Sequence, residues 1–147
     1  GGIMKVVAQR SKYSKVCVDK KIVNEINSGL VLLVSFTQTD TIDNVLKMVK
    51  KIANLRIFDD ENGIMNKSIL DVGGEILSIS QFTLYADTTK GNRPSYFKAL
   101  NGEEAIKLYE KFNEEMNKLV VTKPGIFGAE MEVSITNDGP ITIIMEF

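Results

Sequence analysis

Histidine and tryptophan are both missing from this 147-residue chain, which carries one cysteine and three prolines. Without histidine there can be no Ser–His–Asp or Cys–His nucleophile pair and no His-containing zinc site. The side chain that most often moves protons near neutral pH is also gone. A lone cysteine, Cys17, excludes an intrachain disulfide and a Cys-rich metal cluster. In the alternating run Lys15-Val16-Cys17-Val18 it reads as a small buried hydrophobe. Charge of one sign is lacking too: 18 basic against 19 acidic side chains leave a formal charge of -1. Any polyanion partner must therefore be met by a local patch. No stretch approaches the roughly 20 apolar residues of a membrane span, and no charged-then-apolar leader precedes a cleavage site, so a cytoplasmic protein is expected. An enzyme of this composition has to work with backbone dipoles, hydroxyls, amides, carboxylates or groups of its substrate. No metal site and no cofactor is expected.

What is present suits one domain over residues 1–147, with Gly1-Gly2-Ile3 a remnant ahead of a native start at Met4. The chain is long enough to bury a core without staples. Met4 to Arg10, Lys15 to Val18 and Ile22 to Ile26 read as strands. Leu30 to Phe36, opened by Gly29, is almost continuously apolar, as in a strand covered on both faces. Asp40 or Thr41 caps a helix to about Asn54, whose Val45, Met48, Val49 and Ile52 form one apolar stripe. Gly73-Gly74, between Ile69 to Val72 and Glu75 to Phe82, signals a hairpin. Asn101 with Glu104 resembles a capping box; the helix it opens carries Ala105, Tyr109, Phe112, Met116 and Leu119 on one face. Glu61-Asn62-Gly63 is a turn, Ala86 to Ser95 a loop, and Lys123-Pro124-Gly125 a break. Ala129 to Thr136 and Ile141 to Phe147 close the chain as strands. The pattern predicts a mixed α/β domain with helices covering one side of the sheets.

Three segments stand out. Ser80-Gln81-Phe82-Thr83-Leu84 puts polar groups at the end of a buried strand, where sheet proteins hold sites; satisfying local backbone groups is the plainer alternative. Lys90-Gly91-Asn92-Arg93-Pro94-Ser95-Tyr96 combines two cations, a glycine and an aromatic, which suits either a small phosphate-and-base surface or a solvated loop. Asn137-Asp138-Gly139-Pro140-Ile141-Thr142 reads as a hairpin with an irregular exit, because proline cannot donate to a ladder.

Taken together, these segments resemble the D-aminoacyl-tRNA deacylases, also called D-tyrosyl-tRNA deacylases. Ser80-Gln81-Phe82-Thr83-Leu84 matches that family's Ser-Gln-x-x-Leu motif, and Asn137-Asp138-Gly139-Pro140-Ile141-Thr142 its Asn-x-Gly-Pro-Val/Ile-Thr motif. Gln9-Arg10, Gly29-Leu30, Leu55 to Phe58, Gly91 to Pro94, Phe127-Gly128 and Met131 extend the similarity from Met4 to Phe147. Ser35 in place of a commoner glycine, Tyr96 in place of phenylalanine and Ile141 in place of valine depart from it.

The resemblance implies a dimeric α/β fold: a single domain whose mixed and antiparallel sheets form a barrel-like core in three layers, with two main helices on one side. It implies hydrolysis of the ester joining a D-amino acid, or mischarged glycine, to the 3′-terminal adenosine of tRNA, and a homodimer as the working form. Ser80, Gln81, Phe82 and Thr83 are then the catalytic stretch, with the Phe82 and Thr83 N–H groups at the oxyanion and the adenosine 2′-hydroxyl assisting water. Thr83 as a covalent nucleophile is the alternative. Gly139 and Pro140, joined by a cis bond, become the chiral filter, reaching into the partner's pocket. Arg10 braces them, and Lys90, Gly91, Arg93, Phe127 and Met131 contact substrate. A non-catalytic dimeric module binding nucleic acid or protein on the same scaffold is the rival reading.

Overall fold

The structure, a computed structural model, describes residues 3–147; the reading of Gly1 and Gly2 as part of a leading remnant lies outside them. Its organising element is β1 (Lys5–Val18), which exchanges neighbours half-way along. The first half pairs antiparallel with β3 (Gly29–Ser35), from Lys5 opposite Ser35 to Ser11 opposite Gly29. The second half pairs with β2 (Lys21–Ile26), from Ser14 opposite Ile26 to Val18 opposite Lys21. Along its other edge β1 carries β8 (Glu132–Glu146) over nearly its whole length. β3 continues in parallel to β6 (Glu75–Ser80), and β6 to the short β7 (Thr122–Pro124). The sheet thus curls into a nearly closed barrel.

Two helical crossovers make the parallel pairs possible, as parallel strands require. Between β3 and β6 run α1 (Ile42–Asn54), the small hairpin β4 (Phe58–Asp59) and β5 (Met65–Lys67), and the one-turn α2 (Ile69–Val72). Between β6 and β7 runs α3 (Gly102–Asn117). The stripe foreseen on α1 is its buried face: Val45, Met48, Val49 and Ile52 all pack inward. With Tyr109, Phe112 and Met116 of α3 they cover Val6, Leu30, Leu32 and Val34 of the sheet, and Met4 just ahead of β1. The opposite sheet face holds a second core of Val16, Ile26, Val31, Leu77 and Ile79, closed by Met131, Val133 and Ile135. Helices, sheet and the curled-over strands are the three layers expected.

Several local expectations are corrected. Met4 to Arg10 and Lys15 to Val18 are one strand, not two. Gly73-Gly74 is no hairpin: Ser68 caps α2 by accepting from Asp71 N–H, and Gly73, at φ 64°, ends it in the left-handed conformation. Lys123-Pro124 lies in edge strand β7, where a proline is tolerated. Phe82 leaves the strand and begins a 3-10 turn, Phe82–Tyr85. Asn101 is the N-cap of α3, but its side chain turns back to donate to Ala99 O, so no capping box forms. Leu119 falls beyond the helix and is exposed. Cys17 is half-buried, not buried.

Asn137 to Pro140 is not a hairpin either. Both flanking segments pair with β1 in the same direction, Ser11 opposite Asn137 and Gln9 opposite Thr142. The residues between are an outward bulge within one strand.

Candidate active site

A cleft of about 380 Å³ opens at the carboxyl ends of β3 and β6. That is where open parallel strands hold ligands, since the chain leaves the sheet there and its loops diverge. Four segments build it. Val34 to Phe36 and Ile79 to Phe82 come from the strand ends, Leu100 to Gly102 and Ala105 from the start of α3, and Phe127 to Ala129 with Met131 and Val133 from the approach to β8. The strand ends are tied together by Gln81 N–H donating to Val34 O at 2.8 Å, and α3 is tied in by Leu100 N–H donating to Phe36 O at 2.9 Å.

No ionisable side chain is among the lining residues; the polar ones are Ser35, Ser80, Gln81 and Asn101. Among the described residues no group of three or more His, Cys, Asp and Glu could hold a metal ion. The cleft therefore offers hydroxyls, amides and backbone groups for chemistry. At its mouth Gln81 Nε2 donates to Thr83 Oγ1 at 2.5 Å. An amide donor does not activate a hydroxyl as a base would, so the geometry gives Thr83 no help as a nucleophile. Phe82 and Thr83 are the first residues of the 3-10 turn, so their N–H groups have no acceptor within it. Phe82 meets Tyr96 edge-on at 5.1 Å between ring centroids.

Behind the cleft, Tyr109 Oη donates to Ser78 O at 2.7 Å and its ring packs on Phe127 at 5.8 Å. Burial raises the Tyr109 phenol above its ordinary range, against the hydrogen bonds that pull it down. The neutral phenol is thus a fixed donor that holds the floor of the cleft.

The residues singled out in the sequence fall into three places. Ser80, Gln81, Phe82, Phe127 and Met131 line the cleft, with Thr83 hydrogen-bonded to its rim. Arg10, Gly139 and Pro140 gather instead at the bulge of β8. There the Gly139–Pro140 bond is cis and both residues are exposed. Arg10 is buried beneath them: Nη1 donates to Ile57 O at 2.9 Å and Asp59 Oδ1 at 3.1 Å, and Nε faces Asp138 Oδ2 at 3.2 Å. Asn137 Nδ2 clamps the bulge by donating to Arg10 O at 2.9 Å and Ile141 O at 3.0 Å. Lys90, Gly91 and Arg93 do not reach the cleft; they stand exposed on a loop closed by the Asp87–Ser95 backbone pair. Sequence reasoning missed Phe36, Leu100, Asn101, Gly102 and Ala105 as lining residues. Gly102, at φ 68° directly after the N-cap, was the one local signal there.

Residues 7–146 match the family model described as D-Tyr-tRNA(Tyr) deacylase. The chain belongs to that family. A protein of Geobacillus sp. (strain WCH70) named D-aminoacyl-tRNA deacylase is 51% identical over 144 residues, covering 97% of this chain and 95% of the relative. A second of the same name, from Bacillus cytotoxicus (strain DSM 22905 / CIP 110041 / 391-98 / NVH 391-98), is 54% identical over 97% of this chain and 99% of its own length. Among solved structures, that of a protein named c-Myc DNA Unwinding Element Binding Protein superposes with a TM-score of 0.92 at 40% identity, covering 97% of this chain and 98% of that one. A probable eukaryotic D-amino acid tRNA deacylase superposes at 0.86 with 15% identity, covering 99% and 100% of the two chains, a likeness of fold alone.

Proposed function

We propose that this chain is a D-aminoacyl-tRNA deacylase: it hydrolyses the ester between a D-amino acid, or mischarged glycine, and the 3′-terminal adenosine of tRNA. The observation that carries the reading is a cleft with no ionisable side chain, at the carboxyl ends of β3 and β6, in a member of this family. Ester hydrolysis there needs a stabilised oxyanion more than a strong base, because an aminoacyl ester is already activated. The N–H groups of Phe82 and Thr83 supply the oxyanion donors as the carbonyl becomes tetrahedral; one such donor is worth roughly 3–4 kcal/mol. Water attacks, and the adenosine 2′-hydroxyl, next to the leaving 3′-oxygen, relays the proton. Ser80 and Gln81 shape the polar end of the pocket, while Phe127 and Met131 pack against the adenosine.

Chirality is the harder task. Discriminating by ~10³–10⁴ takes about 4–5.5 kcal/mol, whereas a shaped apolar pocket yields only ~1–3 kcal/mol per methylene-sized difference. A stiff backbone wedge can exceed that. Gly139-Pro140 is exposed on a braced bulge and lies outside the cleft of its own chain, which suits a filter lent to a second copy in a homodimer. Lys90 and Arg93, on their exposed loop, meet phosphates near the 3′ end.

The test is deacylation of D-Tyr-tRNA and L-Tyr-tRNA side by side. Loss of the D-ester with survival of the L-ester is expected; equal rates on both, or turnover of neither, refutes the reading. The 40%-identical structure, named for binding a DNA element, favours one alternative, a nucleic-acid-binding module without turnover. Binding of tRNA or DNA with no hydrolysis of either ester would select it.

A further inference from the structure

The near-zero net charge hides a separation of charge between the two long helices. α1 carries Lys47, Lys50 and Lys51 against one carboxylate, Asp43 in its first turn. α3, packed beside it, carries five glutamates, Glu103, Glu104, Glu110, Glu114 and Glu115, against Lys107 and Lys111. Of the α3 lysines only Lys107 lacks an ion pair among the described residues. Lys111 pairs with Glu114 and Glu115, and Lys118 with Glu115. Among the described residues no carboxylate lies in ion-pair range of Lys47, Lys50 or Lys51. Complementing the helix dipole accounts for Lys51, which sits in the last turn, but not for Lys47, a full turn further in.

These three lysines and Arg56 ring a shallow depression of about 600 Å³, with Leu55 and Phe147 as its apolar part. Arg56 is held in place by donating to the carbonyl and side-chain oxygens of Asn66. Lys51 Nζ lies 5.8 Å from the centre of the Phe147 ring. Cations around a partly exposed aromatic make a surface for a sugar–phosphate chain, with phosphates on the ammonium groups and the ring under a sugar or base.

A chain of contacts leads from the depression toward the cleft. Phe82 lines the cleft mouth, and Tyr85 ends the same 3-10 turn. Lys5 Nζ stands 4.9 Å from the Tyr85 ring centre, donates to Leu84 O at 3.4 Å and pairs with Glu146 at 3.5 Å. Phe147 follows Glu146 directly, and Lys51 lies against it. Two carboxylates lie beside Tyr85 on this path: Glu146, which pairs with Lys5, and Asp40, which accepts from Thr37 N–H.

We infer that the Lys47, Lys50, Lys51 and Arg56 face of α1 docks the phosphate backbone of the tRNA acceptor arm while the aminoacylated 3′ end occupies the cleft. This rests on the deacylase reading and adds the surface that grips the rest of the substrate. The acidic α3 repels the same polyanion, so the pair of helices sets which side of the cleft the tRNA body leaves from.

The experiment compares wild type with a triple variant, Lys47→Gln, Lys50→Gln and Lys51→Gln. The substrates are D-Tyr-tRNA and the truncated ester 3′-O-D-tyrosyl-adenosine, and binding of uncharged tRNA is measured across a salt series. For D-Tyr-tRNA, KM is expected to rise about tenfold with kcat unchanged, and the salt slope of tRNA binding to fall by roughly 2–3, about one for each phosphate no longer neutralised. Kinetics on the truncated ester stay at the wild-type value. Replacing all three lysines by arginine restores KM. The variant Lys107→Gln, Lys111→Gln on α3 leaves KM unchanged or lowers it. An unchanged KM for D-Tyr-tRNA, an equal loss on the truncated ester, or an equal rise in the α3 variant overturns the proposal. If wild type hydrolyses neither ester the deacylase reading falls, and the uncharged-tRNA slopes decide the surface by themselves.

Discussion

Arg10→Ala is the substitution from which most can be learned, because one side chain joins the hairpin after α1 to the bulge of β8. The Arg10 side chain is 8% exposed, while those of Asp59 and Asp138 are 51% and 35% exposed. Truncation therefore strands the buried carbonyl of Ile57, at a cost of about 1–3 kcal/mol. The two carboxylates recover water, so their lost ion pairs add no more than about 1 kcal/mol each. With the packing of the aliphatic stem also gone, destabilisation of about 3 kcal/mol is expected. Urea unfolding followed by circular dichroism should show a midpoint lowered by roughly 1–2 M, with the slope m unchanged. Arg10→Lys keeps the charge but satisfies fewer acceptors, so it should fall between wild type and alanine. The functional consequence is separable. Asp138 adjoins Gly139, and Asn137 still clamps the bulge by its bond to the main chain at position 10. On the proposed reading the bulge loosens without collapsing: hydrolysis of D-Tyr-tRNA should persist in Arg10→Lys while the D/L ratio drops about tenfold, which is ~1.4 kcal/mol. A stability change within about 0.5 kcal/mol for alanine, or an unaltered D/L ratio in both variants, would refute the bracing argument.

Three other outcomes follow from local geometry. Thr83→Ala should retain considerable deacylation, because its hydroxyl receives an amide proton from Gln81 and meets no base among the described residues; complete loss with unchanged circular dichroism restores the covalent route. Tyr85 Oη is buried without a hydrogen-bond partner among the described residues. Tyr85→Phe should therefore raise stability by about 1 kcal/mol in denaturant titration. The same phenol is held above its usual pKa of 10.0, chiefly by burial and then by Asp40 and Glu146. The native state keeps a proton that the unfolded chain releases, so stability is full below pH 10 and falls as pH rises beyond it. Tyr85→Phe should flatten that alkaline decline, and an unchanged pH profile tells against it. Gly29→Ala should cost at least about 3 kcal/mol: at φ 153° an added Cβ would lie 1.8 Å from Glu75 O, where β3 and β6 meet. Wild-type expression and thermal midpoint in that variant would contradict the close approach.

The elements legible from periodicity are those whose residues answer to one neighbour. The α1 stripe and the apolar run of β3 came through intact, the first because it faces one sheet and the second because both its faces are covered. The alternation of β1 is interrupted between Arg10 and Lys15, so its two halves read as separate strands. In the fold Ser11 and Ser14 are buried, their hydroxyls 2.6 Å apart, and Ser14 Oγ accepts from Thr136 N–H at 3.2 Å. Those hydroxyls fill the gap in the ladder where β1 changes partner, a tertiary reason that no local pattern carries. Gly73-Gly74 failed differently. A glycine pair ends a helix as readily as it turns a hairpin, and the Ser68–Asp71 capping box beside it was the signal to weigh.

The site divides along the same line. Its motif residues are named by the family resemblance, which carries no information about where the fold places them. Asn137-Asp138-Gly139-Pro140 has the composition of a hairpin, and a hairpin would have sent the last segment antiparallel to the one before it. Register decides otherwise: Ile135 faces Ser14 and Ile143 faces Ala8, so both arms run along β1 in one direction. The bulge then projects from a single braced strand, held below by Arg10 and across by Asn137, and its tip is offered to solvent instead of to its own cleft. The cleft is lined by backbone groups and neutral side chains, with no ionisable residue among them. What the fold sets out is a polar strand end that opens a 3-10 turn, and a braced bulge elsewhere on the same sheet.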